Sequence, residues 1–178
     1  KKDLEYRSEL AADGDFGEAA ISLKNPEGFA RGRGVYVASK KQRNFHGVCA
    51  TVLNAKDNYF TLSRSMNADI MVAEGGFAAT VFPVISGYKI QDAQVEHLSI
   101  DGNRQNNPTK VDGCRTAGIY LYQGDHCTIT DCTVTNYQGD GISFQQSNDV
   151  RVSRCIVKQC AGFGLHPGSG SQRPSVTN

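Results

Sequence analysis

The sequence predicts an all-β chain, a parallel β-helix of about 23-residue coils spanning residues 90–178, preceded by a small β-rich domain over residues 1–89. Three observations carry that prediction. Glycine-led segments recur at a fixed spacing in the second half. Within each segment apolar and polar residues alternate over short runs, the period of a strand and not of a helix. The stretch DGISFQQSNDVRVSRCIVKQCAGFGLHPGSGSQRP, Asp140 to Pro174, holds several such bursts without the two-residue turns that hairpins require.

The repeat is read by aligning the evenly spaced segments that begin at Gly118, Gly141 and Gly164. Ile119, Ile142 and Leu165 share one column, and Leu121, Phe144 and Pro167 another; Ile129 sits over Val152, Cys132 over Cys155, Val134 over Val157. A unit of this length with three strands and no helix cannot bury its own apolar side. Stacking successive units as coils solves that problem. Gly139, Gly141, Gly162 and Gly164 then fall where a tight corner would tolerate positive φ. An earlier coil shows in VEHLSIDGN, where Val95, Leu98 and Ile100 repeat the spacing of Ile129, Cys132 and Val134 at a longer offset. A polar stretch, RQNNPTKVDGC or close to it, is therefore inserted as a loop at one corner, either a surface tolerance or part of a binding face. SQRPSVTN stops in mid-coil without a polar cap, so the remainder of a longer chain is expected to pack on the open end of the solenoid.

Residues up to about Lys89 carry no such repeat. AAISL, GVYVAS, GVCATVL, NYFTLS, DIMVAE and ATVFPVI read as short strands, with NAKDN as a hairpin turn between Val52 and Phe60, which predicts a compact antiparallel barrel or sandwich beside or inserted into the solenoid. Arg31, Arg33, Lys40, Lys41, Arg43 and His46 form a basic cluster that could grip an anionic polymer or simply line a solvated loop.

Composition narrows the functional classes. In 178 residues, 19 Lys and Arg against 18 Asp and Glu leave a net charge of +1, so no bulk field favours nucleic acid or an anionic membrane. No apolar run approaches a membrane span, and KKDLEYRSEL is not followed by the apolar core of a signal peptide, so an exported protein would already lack its leader. The six cysteines match no zinc spacing and are expected to be mostly free, packed thiols. GSGSQRP lacks both the ending of a phosphate loop and the helix that would follow one.

The strings ATVFPVISGYKIQDAQVEHLSIDGN, GDGISFQQSNDV and GLHPGSGSQRP resemble the bacterial parallel β-helix repeat proteins of the pectate-lyase-like superfamily, over most of the chain from about Phe29 onward. The resemblance, with the general bias of parallel crossovers, implies a right-handed coil. It also implies a secreted, periplasmic or cell-surface protein acting on polysaccharide as a lyase, a glycoside hydrolase or an epimerase. Many relatives have no assigned activity, so the fold transfers better than the chemistry.

With Ile119, Ile142 and Leu165 turned inward, Tyr120, Ser143 and His166 must face outward, and Tyr122, Gln145 and Gly168 follow two positions on. Such a stripe, rising about 4.8 Å per coil, suits a sugar chain, with rings stacking on Tyr and hydroxyls bonding to Ser, Gln and His. An ordinary polar exterior is the alternative. A lyase needs an abstracting base and a neutraliser for the uronate carboxylate. His166, Arg173 and Asp140 are the catalytic candidates, and Tyr120, Tyr122, Ser143, Gln145 and Lys158 the substrate-binding ones, with Arg115 and Asp125 nearby. His166 could instead bond a corner, Arg173 could bond the carbonyls of its own turn, and the Asp residues could serve as turn residues. A hydrolase would draw its two carboxylates from Asp101, Asp112, Asp125 and Asp140. No cofactor is predicted; Ca2+ could use the same acids, although no loop has the dense ligand spacing of a dedicated site. The leading expectation is a polysaccharide lyase, with a polysaccharide or oligosaccharide as partner. The competing class is a non-catalytic carbohydrate-binding, adhesion or structural module.

Overall fold

A computed structural model describes residues 4–41 and 46–178, which form two compact units, Leu4–Phe82 and Pro83–Asn178. Arg43 of the basic cluster lies outside the described residues.

The first unit is an antiparallel sheet of six strands, β1 (Arg7–Glu9), β2 (Ala20–Ser22), β3 (Gly34–Ala38), β4 (Val48–Lys56), β5 (Tyr59–Leu62) and β6 (Phe77–Ala79), in the order β1-β6-β3-β4-β5-β2. Val35 and Val37 alternate along β3 and point into a core shared with Leu10, Phe60, Met66 and Ile70, while Tyr36 between them packs edge-on against Phe77. The long β4 pairs with β3 first and, past a bulge between Val52 and Asn54, with β5. Their hairpin turns at Asp57, φ 54°, inside the NAKDN string. A bridge from Leu10 to Leu23 joins the end of β1 to the end of β2, so the two edges meet and the sheet closes as a small barrel. Closure removes the exposed edges that would otherwise template pairing. Within the basic cluster, the Arg33 guanidinium donates to the Gly28 carbonyl at 3.0 Å and lies 5.5 Å over the Tyr6 ring, fastening the barrel's own loop.

The second unit is a parallel β-helix. Its first sheet stacks β7 (Ile85–Gln91), β10 (Ala117–Asp125), β13 (Asp140–Gln145) and β16 (Leu165–Pro167); its second, β8 (Gln94–Glu96), β11 (Thr128–Thr130), β14 (Arg151–Ser153) and β17 (Ser175–Thr177); its third, β9 (Ser99–Asp101), β12 (Thr133–Thr135) and β15 (Ile156–Lys158). The columns read from sequence are the observed registers: Ile119 pairs with Ile142 and Ile142 with Leu165, Ile129 with Val152, Val134 with Val157. Ile119, Ile129 and Val134 are fully buried, and each such side chain contributes on the order of 1.5–3 kcal/mol of transfer free energy.

Three expectations need correction. The division falls between Phe82 and Pro83 and not at residue 89, because VISGYKI pairs as the first rung: Ile85 meets Ile119 at the same sequence offset at which Val95 meets Ile129. Gly139, Gly141, Gly162 and Gly164 do not take positive φ. The corners turn instead on non-glycine residues in the left-handed region, Gln123 and Gln146, His126 and Asp149, Asp131 and Arg154, Asn136 and Gln159, the members of each pair one coil apart. That region costs a side chain roughly 1–2 kcal/mol, and the backbone ladder on either side of each corner holds it there. The glycine column answers a different need, close approach across the coil. A Cβ on Gly118 would meet Val134 Cγ1 at 2.5 Å and the Gly141 carbonyl oxygen at 2.8 Å.

Last, the final turn departs from a uniform repeat. Ile142 pairs with Leu165 in the first sheet at the regular spacing, but Arg151 pairs with Ser175 at one position more, so GSGSQRP carries one extra residue. Ile142, Val152, Val157, Leu165 and Val176 line an apolar cavity at this last coil. All six cysteines are free thiols, with Cys127 and Cys132 buried in the stack.

Candidate functional site

The site is built on the outer face of the first sheet. Parallel register sets Tyr120 beside Ser143 and Ser143 beside His166, and puts Tyr88, Tyr122 and Gln145 in the next row. Asp140 opens β13. Its Oδ2 lies 2.7 Å from His166 Nδ1, and its Oδ1 accepts the Phe163 N–H at 2.8 Å. When the carboxylate accepts this bond, Nδ1 is its donor, and in the neutral ring Nε2 is then the nitrogen with a free lone pair. The Asp140 side chain is 6% exposed and that of His166 24%, so the pair is fixed on one side and reachable on the other. The Phe163 ring stands edge-on to the imidazole at 5.5 Å and further restricts its rotation. A base oriented in this way is what proton abstraction requires.

The stripe beside the pair faces outward as its position dictates, but it is not open to solvent. Tyr120 is 1% exposed, Ser143 0% and Gln145 4%, because the inserted loop between Asp101 and Ala117 lies across them. Ser143 Oγ donates to the Gly113 carbonyl at 2.6 Å, Gln145 Nε2 donates to the same oxygen at 3.4 Å, and the Tyr120 hydroxyl donates to the Cys114 carbonyl at 2.7 Å. Outward-facing residues on a strand are exposed only when nothing is laid over them, and the repeat carries no information about an insertion.

Each end of the loop is braced by a bond of its own. Asn103 takes φ 50°, its carbonyl accepts Asn107 Nδ2 at 3.0 Å, and Asp112 Oδ1 accepts the Cys114 N–H at 2.8 Å. Burial, then the neighbouring Asp112, push the Cys114 thiol up to about 11. In GLHPGSGSQRP, Gly168 leaves room that the Gln145 amide fills; a Cβ there would overlap it.

The remaining candidates are dispersed. Arg173, in the left-handed region at φ 49°, pairs with Asp149 through Nε at 2.9 Å and Nη2 at 2.6 Å, and not with His166. That bidentate bond holds the Asp149 carboxyl below its ordinary range and raises the guanidinium. Arg154 makes the same pair with Asp131 one corner over. Lys158 belongs to β15, in the third sheet. Asp125 accepts from Asn148 at 2.9 Å, and Asp101 accepts from the Asn103 N–H and from Asn136, so these acids serve corners. Among the described residues no three His, Cys, Asp or Glu side chains gather as a metal ion would need. Likewise, no helix among them is long and apolar enough to cross a membrane.

Sequence reading missed Tyr88. Its ring lies 5.7 Å from that of the buried Tyr120 and 6.4 Å from that of Tyr122, and Tyr88 and Tyr122, both partly exposed, make an aromatic platform on the rungs before the Asp140–His166 pair. Tyr122 also bonds Gln146 at 3.0 Å. The signal was present: Tyr88 precedes its register partner Tyr122 by the same offset that separates Val95 from Ile129.

Residues 31–178 match the family model described as a right-handed beta helix region, and the chain belongs to that family. None of the curated proteins compared matches the chain. Among solved structures it is similar to the tailspike protein gp49 of Pseudomonas phage LKA1, at 14% identity and TM-score 0.40, over 98% of this chain and 37% of that one. The gp54 tailspike of Acinetobacter baumannii bacteriophage AP22, solved in complex with A. baumannii capsular saccharide, is similar at 7% identity and TM-score 0.40, over 98% and 46%. The tailspike gp61 of Pseudomonas phage phi297 follows at 11% and 0.40, over 88% and 31%. The chain thus spans less than half the length of each.

Proposed function

For this member of the right-handed β-helix family we propose a carbohydrate-binding function on the first sheet, with an acidic polysaccharide as ligand and Asp140–His166 as the base of a β-elimination. The observation that carries the reading is the 2.7 Å contact between Asp140 Oδ2 and His166 Nδ1. In this scheme Tyr88 and Tyr122 stack against sugar rings and set the polymer along the rungs. His166 Nε2 takes the proton from the carbon next to the uronate carboxylate, the electron pair of that C–H bond becomes the new double bond, and the glycosidic bond breaks with its oxygen leaving as a hydroxyl that takes a proton from water. Asp140 keeps the ring in one tautomer and stabilises the imidazolium that forms, as oriented acid–base pairs do. A general base so placed supplies on the order of 10²–10⁴ in rate. An exported or surface location follows from such a substrate.

A second reading, glycan binding without cleavage, is favoured by one specific observation. Arg173, the expected carboxylate neutraliser, is already held by Asp149. Both readings require binding, and affinity electrophoresis tests it directly. The protein is run through gels containing polygalacturonate, alginate or dextran, alongside a Tyr88→Ala, Tyr122→Ala double variant. Retardation by an acidic polymer that the double variant loses supports the reading. Equal mobility in all gels contradicts it.

A further inference from the structure

We propose that Asp112–Cys114 is an internal occupant of a glycan subsite, held by the same donors that bind the sugar chain after the loop has left. The inference rests on the carbohydrate-binding reading above and adds where the ligand sits and what it displaces.

Three donors on neighbouring rungs, Tyr120 Oη, Ser143 Oγ and Gln145 Nε2, converge on two carbonyl oxygens, those of Cys114 and Gly113. Gln145 Nε2 also reaches Ser143 Oγ at 3.1 Å, so the row is a connected set of donors and not three separate surface groups. What they hold is a backbone turn, closed by the Arg115 and Thr116 N–H groups on the Asp112 carbonyl, that presents two successive acceptor oxygens to the sheet. A sugar chain offers the same kind of oxygens, as hydroxyl, acetamido carbonyl or carboxylate groups. The exchange of loop for glycan therefore trades acceptors one for one and leaves no buried donor unpaired, the condition under which such an exchange costs little.

The loop also packs against the Asp140 side of the pair. Gly113 packs directly on the pair: a Cβ built on it would overlap Asp140 Oδ2 and would lie 2.7 Å from His166 Nδ1. Only a residue without a side chain can occupy this position while the loop is down. The same glycine supplies the test, because it is not among the residues with positive φ, so alanine is disfavoured there by the contact alone.

Trypsin reads the opening. Lys110, exposed, and Arg115 flank the occupant and are cut when the loop lifts. Where opening is fast, cleavage follows the population of the open form, so Gly113→Ala is expected to accelerate cuts at these two residues about tenfold or more, with an unchanged far-ultraviolet circular dichroism spectrum. Tyr120→Phe, which removes only one of the holding bonds, accelerates the same cuts more modestly and guards against misfolding of the first variant. Cleavage at the wild-type rate in both variants overturns the proposal. The glycan arm uses the polygalacturonate and alginate gels: stronger retardation of Gly113→Ala than of wild type supports a shared subsite. Faster cleavage without any gain in retardation overturns it, even where the wild type itself is retarded and the carbohydrate-binding reading stands.

Discussion

Gly141 and Gly164 occupy the same column one coil apart, and alanine at the two positions should have different consequences. At Gly141 a new Cβ would overlap Val157 Cγ1 and lie 2.9 Å from the Gly164 carbonyl oxygen. The first contact is with a side chain packed inside the coil and the second with backbone of the next rung, so neither can yield without moving β15 or β16. Overpacking of this kind costs on the order of 1–3 kcal/mol. At Gly164 the nearest atoms are Val157 Cβ at 3.8 Å and Cγ1 at 3.9 Å, ordinary contact, and φ is not positive. Alanine there restricts the unfolded chain without strain, which is worth roughly 0.4–1 kcal/mol in favour of the fold. In a chain of this length about 1 kcal/mol moves the midpoint by roughly 2–4 °C. The midpoint of thermal unfolding followed by circular dichroism, on the transition assigned to the β-helix, should therefore fall by roughly 2–12 °C for Gly141→Ala and stay level or rise slightly for Gly164→Ala. Equal losses at both positions, or no loss at Gly141, would refute the assignment of this column to steric approach.

Two further outcomes follow from the corners and the loop. Asp131 and Asp149 have their carboxyl groups held below the ordinary range chiefly by hydrogen bonds from Arg154 and Arg173, so their contribution is present above the unfolded value near pH 3.9 and is lost as pH falls through the lower folded value; Asp131→Asn with Asp149→Asn should flatten the acid limb of stability against pH measured by urea titration, and an unchanged limb would contradict the pairing. Cys114, pushed up to about 11, holds on the order of a hundredfold less thiolate at pH 8 than a thiol at its ordinary value, so in the native state it should alkylate with iodoacetamide far more slowly than in urea, as mass spectrometry of the modified peptide would report.

The register of the coil was legible because apolar columns such as Ile119–Ile142–Leu165 repeat at a constant spacing and a one-residue slip would turn them all outward. Its first rung was harder to read, since the inserted loop lengthens the offset there and Gly87 interrupts the strand in VISGYKI. The corners were misassigned for a physical reason: glycine is the usual tenant of positive φ, but here the ladders impose that conformation on Gln, His, Asp, Asn and Arg, which give no common sequence signal. Asp140 and His166 both stood among the candidates, yet their contact could not be read, because it joins the first residue of β13 to the middle of β16. The burial of Tyr120, Ser143 and Gln145 was beyond sequence reading altogether, for it depends on where a non-repeating loop lies. Arg173 was partly legible. Asp131 and Arg154 stand one coil apart at a corner, and the same pattern, stretched by the extra residue of GSGSQRP, gives Asp149 and Arg173.

The most direct test of the proposed chemistry is ultraviolet absorbance during incubation with polygalacturonate and alginate, since β-elimination leaves an absorbing unsaturated sugar at each cut. A rise with the wild type, abolished in His166→Ala and reduced in Asp140→Asn by roughly the 10²–10⁴ that an oriented base supplies, is the result expected. A flat trace from a protein that the same polymer retards in a gel, with Gly113→Ala equally inactive, would contradict elimination at Asp140–His166 and leave this face of the β-helix as a binding surface alone.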